Sequence, residues 1–316
     1  MYICFIIERK YIFYIEPIID ILSINYHIVY VENIETETHL LLNAKLIITI
    51  HSFNSVVLKF LQKVKGIVKT LTIQDGIIEY KSSNHRFQGN YRFRPLYSDY
   101  IGCFGEGSKR LLLTYGVKEN QIFLIGSPRF DKIEFLKKEK KYLLITMANR
   151  PGYGLENTIN YYTLMEKLLV WLEKENINFK LRLSRGVSSI GQESIYKIFD
   201  NPSVILKKYF DREPSSVSLY EDLNEAYAVI TTPSTVSLEA MLFKIPVVHL
   251  ISDTVPINLQ TVFNIYKEED FCKVIPELKS PSSFKLLNQE MILNDNISYQ
   301  FSSAIEIVKL IKRLLI

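Results

Sequence analysis

The stretch from Ala226 to Leu250, AYAVITTPSTVSLEAMLFKIPVVHL, constrains the fold most, because it spells out a buried strand, a tight turn, a helix and a second buried strand in succession. Ala226–Thr231 is a short apolar run that ends in hydroxyls, and Pro233 breaks it. Val236–Phe243 reads as the helix, and Ile245–Leu250 is too continuously apolar to be anything but a strand covered on both faces. The turn matters chemically. Ser234 and Thr235 fall where the helix begins, beside amides the helix cannot pair and at the positive end of its dipole, a combination that suits an anion. Glu239, one turn further on, is placed to accept hydrogen bonds from a sugar diol. The plainer alternative is that Ser234 and Thr235 only cap the helix.

The same alternation runs through the chain and argues for α/β structure with parallel sheets. Strands are expected at Tyr2–Ile7, Ile28–Val31, Leu46–Ile50, Lys69–Ile73, Ile101–Phe104 and Ile122–Ile125, with helices at Tyr14–Leu22, Phe53–Val64 and Gly107–Tyr115. The charged segment Lys132–Lys141 then interrupts the order. Beyond it come strand Tyr142–Thr146, helix Thr158–Lys174, strand Phe179–Leu183, a helix near Gln192–Phe199 and strand Val204–Leu206. A chain of 316 residues accommodates two domains of ~150 residues each. We expect a first domain at 1–132, a linker at 133–141, a second domain at 142–298, and a C-terminal helix at 299–316 that packs back on the first domain.

Composition narrows the class. A hydrophobic content of 47% with 12% aromatics describes a globular chain rather than a disordered one. No apolar run reaches the ~18–20 residues of a membrane span. The N-terminus meets Glu8, Arg9 and Lys10 too early for a secretory signal, so a cytoplasmic location is expected. Three scattered cysteines support neither a disulfide framework nor a zinc site and are expected to be buried apolar residues. A net charge of +4 does not argue for nucleic acid. Leu58–Lys69 and Ile307–Ile316 each join Lys or Arg to an apolar stripe at helical spacing, which fits either an anionic membrane surface or a helix packed on its sheet. The GxGxxG, GxxxxGK[ST] and GxSxG signatures are all absent, which argues against a dinucleotide dehydrogenase, a P-loop nucleotidase and the usual serine hydrolase. There is no Asp-x-Asp and no histidine pair, so no metal or cofactor is expected.

A second constellation lies at Leu71–Tyr80, LTIQDGIIEY, where an apolar strand delivers Gln74 and Asp75 to its carboxyl end. A catalytic carboxylate belongs there in an open α/β sheet, although Asp-Gly is also a common turn dipeptide. Asn149 and Arg150 follow the Tyr142–Thr146 strand, and Ser184 and Arg185 follow Phe179–Leu183. Arginine pairs with phosphate in bidentate fashion. Converging with Ser234 and Thr235, these groups would stabilise the negative charge that a leaving nucleotide gains in the transition state. His51 at a strand end, Glu79 four residues beyond Asp75, and Arg86 in the basic, aromatic Tyr80–Arg94 stretch are candidates for the acceptor side, together with Gln74. Each is equally an ordinary loop residue.

The segment DLNEAYAVITTPSTVSLEAMLFKIPVV, Asp222–Val248, resembles the donor-binding segment of GT-B glycosyltransferases. In that superfamily the Ser/Thr pair meets the donor phosphate and the following Glu often meets the ribose. TIQDGIIEY resembles the acidic-Gly motif of bacterial CMP-sialic-acid and capsule Kdo transferases. With Asp75 in place of His, it is also similar to the Gln-His-Gly of teichoic-acid glycerophosphotransferases. Ser98–Ile133 resembles the stretch that closes the first domain in these relatives, and its GSPRFD turn leads into the linker. The His-Pro motif of the sialyltransferases is missing; Ser184 and Arg185 stand there instead.

The resemblance implies a GT-B fold, two Rossmann-like domains facing across a cleft. It implies a metal-independent glycosyltransferase moving a sugar, such as sialic acid or Kdo, from a nucleotide-sugar donor to a glycan or glycolipid acceptor in capsule, lipopolysaccharide or other surface-polysaccharide synthesis. Asp75 would be general base or nucleophile. The work would be done in the cytoplasm or on the inner face of the membrane. A CDP-glycerol type polyol-phosphate transferase and a non-catalytic GT-B-like binding protein are the alternatives.

Overall fold

The computed structural model describes residues 2–50, 54–78, 93–147, 155–182, 203–210, 218–251 and 259–316. The chain divides into two compact units, one made of Met1–Ile133 with Asn294–Ile316 and the other of Glu134–Leu293.

The first unit carries a six-stranded sheet of β1 (Tyr2–Ile6), β2 (His27–Val31), β3 (Leu46–Thr49), β4 (Lys69–Ile73), β5 (Tyr100–Cys103) and β6 (Ile122–Leu124). Every pairing is parallel, in the order β2-β1-β3-β4-β5-β6. Helices α1 (Glu16–Leu22), α2 (Ile34–Leu42), α3 (Ser55–Val64) and α4 (Glu106–Thr114) make the crossovers that parallel pairing requires. β3 is buried at every residue, as a strand covered on both faces must be. α3 starts where the Asn54 side chain accepts hydrogen bonds from the amides of Val56 (3.0 Å) and Val57 (3.2 Å). Its stripe of Val57, Phe60, Leu61 and Val64 packs with Cys4, Ile6 and Ile47.

The second unit has a five-stranded parallel sheet of β7 (Tyr142–Thr146), β8 (Phe179–Arg182), β9 (Ala226–Thr231), β10 (Val247–Leu250) and β11 (Phe263–Ile265), in the order β11-β10-β9-β7-β8. Its helices are α5 (Leu155–Lys174), α6 (Val204–Phe210), α7 (Leu219–Glu225), α8 (Thr235–Leu242) and α9 (Phe271–Glu277), and α10 (Ser283–Asn296) leads out of it. The expected strand Val204–Leu206 is instead the first turn of α6. Three apolar residues are too few to show a period, and at helical spacing Val204 is 84% exposed while Ile205 packs on the core. The helix expected near Gln192–Phe199 lies outside the described residues.

The chain then returns to the first unit. α11 (Ser303–Leu315) buries Ile307, Leu310, Ile311 and Leu314 among Ile3, Phe5, Ile18 and Leu22. The GSPRFD turn is its seat. Gly126 has φ +70°, and a Cβ there would collide with the Ser298 carbonyl and the Ser303 hydroxyl. The Asp131 carboxylate accepts from the amides of Ser303 (3.0 Å) and Ala304 (2.7 Å), so it caps the helix start, while burial pushes its pKa up against those bonds.

Both basic amphipathic stretches therefore spend their apolar stripes in the core. Among the described residues no helix is long and apolar enough to cross a membrane. Cys4 and Cys103 are buried, and burial pushes both thiols up to about 12. Cys272 departs from expectation and is exposed, because α9 turns Phe271 and Ile275, four residues apart, to the core.

Candidate functional site

Open parallel sheets bind ligands at the carboxyl ends of strands where successive connections leave in opposite directions. In the second unit β8 pairs on one side of β7 and β9 on the other, so that point lies between β7 and β9. Both strands end in threonine. Thr146 Oγ1 donates to Thr231 Oγ1 at 2.8 Å, and Thr231 donates in turn to the Thr232 carbonyl at 3.0 Å. Ser234 Oγ lies 3.4 Å from Thr231 Oγ1. The buried hydroxyls thus brace the turn that starts α8.

Ser234 occupies the N-cap position with extended backbone, φ −161°, yet its side chain makes no capping hydrogen bond. Helix capping, the plainer reading of this residue, is not what its hydroxyl does. Ser234, Thr235 and Val236 are half-buried, whereas α8 is enclosed from Ser237 onward. Only the first turn of this helix opens outward, and its positive end sits at the switch point. That is the arrangement an anionic group needs.

The enclosed part of α8 is tied down by polar contacts. Ser237 Oγ and His249 Nε2 are 2.6 Å apart, and His249, completely buried on β10, has its pKa pushed down to about 3 by desolvation. Glu239 is also completely buried and accepts from the Tyr220 hydroxyl at 3.3 Å. Below, Asp222 (1% exposed) receives Lys180 Nζ and the Arg182 guanidinium, each at 2.6 Å.

In the first unit the corresponding switch point lies between β1 and β3, where Thr49 Oγ1 donates to the Ile6 carbonyl at 3.2 Å. Asp75 stands one strand further along, at the carboxyl end of β4. Gln74 is 2% exposed and fully engaged: its side chain accepts from the Phe104 amide and donates to the Gly76 carbonyl, both at 2.8 Å. Its own amide donates to the Gly102 carbonyl at 2.9 Å. Gln74 therefore ties the exits of β4 and β5 together. Ile78, buried with Phe93 and Ile101, anchors the other side of the segment. Between these anchors Asp75 is half-exposed.

His51, Glu79, Arg86, Asn149, Arg150, Ser184 and Arg185 lie outside the described residues. Among the described residues no group of three or more His, Cys, Asp or Glu could hold a metal ion. Sequence reading missed Thr146, Tyr220 and the paired Ser237 and His249. The signals for them are slight: a threonine ending a strand, and one histidine inside an otherwise apolar run. Lys180 and Arg182, two apart on β8, signalled a buried acid for one strand face.

No family model and no curated protein matches the sequence. Solved structures do match in fold. A Methanocaldococcus jannaschii UDP-GlcNAc 2-epimerase, in complex with UDP-GlcNAc and UDP, superposes with a TM-score of 0.69 at 18% identity over 99% of this chain and 100% of its own. S. aureus MnaA with UDP gives 0.66 at 13% identity, covering 100% and 97%. The wall teichoic acid polymerase TagF with CDPG gives 0.60 at 14% identity, covering 99% and 88%. At these identities the likeness concerns architecture: the chain has two parallel-sheet α/β units of the GT-B type.

Proposed function

We propose that this protein is an enzyme that binds a nucleotide-activated substrate in its second unit and transfers the glycosyl group to a surface glycan, with Asp75 taking the proton of the acceptor hydroxyl. One observation carries the reading. At the β7/β9 switch point, braced by the Thr146–Thr231 hydrogen bond, α8 presents a half-open first turn whose Ser234 hydroxyl is not used in capping. A phosphate placed there would receive helix amides, the Ser234 and Thr235 hydroxyls and the dipole. Asn149, Arg150, Ser184 and Arg185, on the loops after β7 and β8, are assigned to the same phosphates. Glu239, one turn further along α8, is assigned to the ribose of the same nucleotide, with the Tyr220 hydroxyl orienting its carboxylate.

These groups favour the charge that builds on the departing nucleotide, which is the charge transfer must stabilise. The half-exposed Asp75, anchored by Gln74 and Ile78, supplies a fixed carboxylate for general-base work. Gln74, His51, Glu79 and Arg86 are assigned to the acceptor side, with Gln74 acting through the position it gives Asp75. The absence of any Asp-x-Asp supports metal-independent transfer, so activity should persist in EDTA. Complete loss on chelation, restored by magnesium, would sink the phosphate site as drawn. The resemblance to sialic-acid and Kdo transferases supports a nonulosonate donor, and the TagF likeness supports a CDP-glycerol type substrate.

Nucleotides bound to the similar structures support the choice of ligand: UDP-GlcNAc and UDP in one, UDP in another, CDPG in the third. A second reading, epimerisation of a UDP-sugar, is favoured by the end-to-end superposition on the archaeal epimerase. Thermal unfolding with CMP, CDP, UDP, GDP and dTDP tests the common premise, since a ligand at ~100 times its Kd adds ~2.7 kcal/mol. No stabilisation by any of the five would end both readings. With the responsive base known, product analysis separates them, because epimerisation needs no acceptor and transfer does.

A further inference from the structure

All six strands of the first unit run the same way, so the loops entering them share one end of the sheet, away from Asp75. That end is basic. Lys45 precedes β3, Lys65 and Lys69 flank the entry to β4, and Lys118 lies before β6; all four are exposed. Lys69 Nζ donates to the Leu314 carbonyl at 2.7 Å, which brings the end of α11, with exposed Lys312 and Arg313, to the same place. Of the carboxylates here, Glu119 is paired with Lys109 at 2.9 Å, while Asp99 accepts from the amide and hydroxyl of Thr70 and keeps its charge. Lys65, Ile67, Lys69 and Lys118 line a cavity of about 540 Å³ together with Asp99, Tyr100 and Gln121, so its lysines outnumber its one carboxylate. At the rim Ile67 is 68% exposed, and at the entry to β2 Ile24 is 77% exposed.

Cations near helix C-termini complement the dipole, which accounts for Lys312 and Arg313 on α11 and for Lys65 at the C-cap of α3. It accounts for neither Lys118 nor the two isoleucines at loop tips. We propose that this end of the first unit docks on an anionic lipid bilayer, with a headgroup phosphate among Lys65, Lys69 and Lys118 and with Ile67 and Ile24 entering the interfacial layer. Charge complementarity selects that occupant, since anionic leaflets attract clustered lysines within a Debye length. The isoleucines add apolar contact at the depth where interfacial segments sit. The amphipathic helices do not insert, because their apolar stripes are already in the core. The proposal does not depend on which substrate the protein uses.

Co-sedimentation of the full chain with vesicles tests it. Binding is expected to phosphatidylcholine vesicles containing a quarter phosphatidylglycerol, to be absent from pure phosphatidylcholine, and to fall steeply at high salt. At ~1 kcal/mol per lysine, the double variant Lys65→Ala/Lys118→Ala should bind the anionic vesicles roughly 30-fold more weakly with its Tm unchanged. Ile67→Ser should weaken binding at every salt concentration. Equal binding to both vesicle types, no binding to the anionic ones, or a double variant that binds like the parent would each overturn the proposal.

Discussion

Two residues sit in opposite surroundings. Asp75 is a half-exposed carboxylate held by neighbours on both sides. Asp75→Asn keeps size and polarity, so nucleotide affinity and Tm should stay near the parent's while turnover falls ~100-fold or more, the scale of a lost general base. Turnover close to the parent's, with a verified donor and acceptor, would reduce Asp75 to turn chemistry. His249 is a group the protein keeps neutral. Its folded pKa of about 3 lies below the ~6.5 of an unfolded chain, so the unfolded state gains a proton first as pH falls. Its contribution to stability is therefore full above pH ~6.5 and declines toward pH 3, with a slope approaching ~1.4 kcal/mol per pH unit. Urea unfolding of the parent and of His249→Asn between pH 7 and 4.5 should show that slope in the parent alone. Parallel slopes would mean that His249 is not the neutral group described.

At the level of elements, α8 carries the proposed phosphate site and α7 the charge cluster that supports it. Because the Ser234 side chain makes no capping bond, Ser234→Ala should cost far less than the ~1 kcal/mol of an ordinary N-cap. It should nonetheless weaken binding of a nucleotide and leave the bare nucleoside unaffected. Calorimetry with the two ligands side by side reads this, and equal losses for both would remove Ser234 from the phosphate site. α7 is held by charge. Asp222 is buried under the largely buried Arg182 and the half-buried Lys180. Asp222→Ala leaves two cations facing each other and should destabilise the second unit by about 3 kcal/mol. A loss below ~1 kcal/mol in denaturant unfolding would show that water screens the cluster.

For the whole molecule the decisive feature is that the first unit is discontinuous in sequence. Its core is completed by Ile307, Leu310, Ile311 and Leu314. Full burial of such side chains stabilises by ~1.5–3 kcal/mol each, so together they match the entire stability of a typical domain. Deletion of residues 299–316 should therefore unfold the first unit. The second unit, Glu134–Leu293, is intact without them and should still bind nucleotide. Separate thermal transitions, one lost and one retained and still shifted by nucleotide, would be the result. A truncated chain that kept both transitions would contradict the packing of α11.

Much of this was legible in the residues themselves. Continuous apolar runs such as Leu46–Thr49 and Val247–Leu250 name fully covered strands, because only a parallel sheet with helices on both faces buries both sides of a strand. Ser234, Thr235 and Asp75 fall at strand exits for the same local reason, and a strand followed by a helix can be read over a dozen residues. Val204–Leu206 could not be assigned that way, since three residues carry no period. Tertiary structure alone decided that Ser234 does not cap its helix and that Gln74 is consumed in tying β4 to β5. It alone enclosed Glu239 with Tyr220 and seated α11 on Asp131, 172 residues away in sequence. Those outcomes depend on which strands become neighbours and which helix end meets which loop. Strand order is set by the summed packing of distant segments, and no local window of sequence contains it.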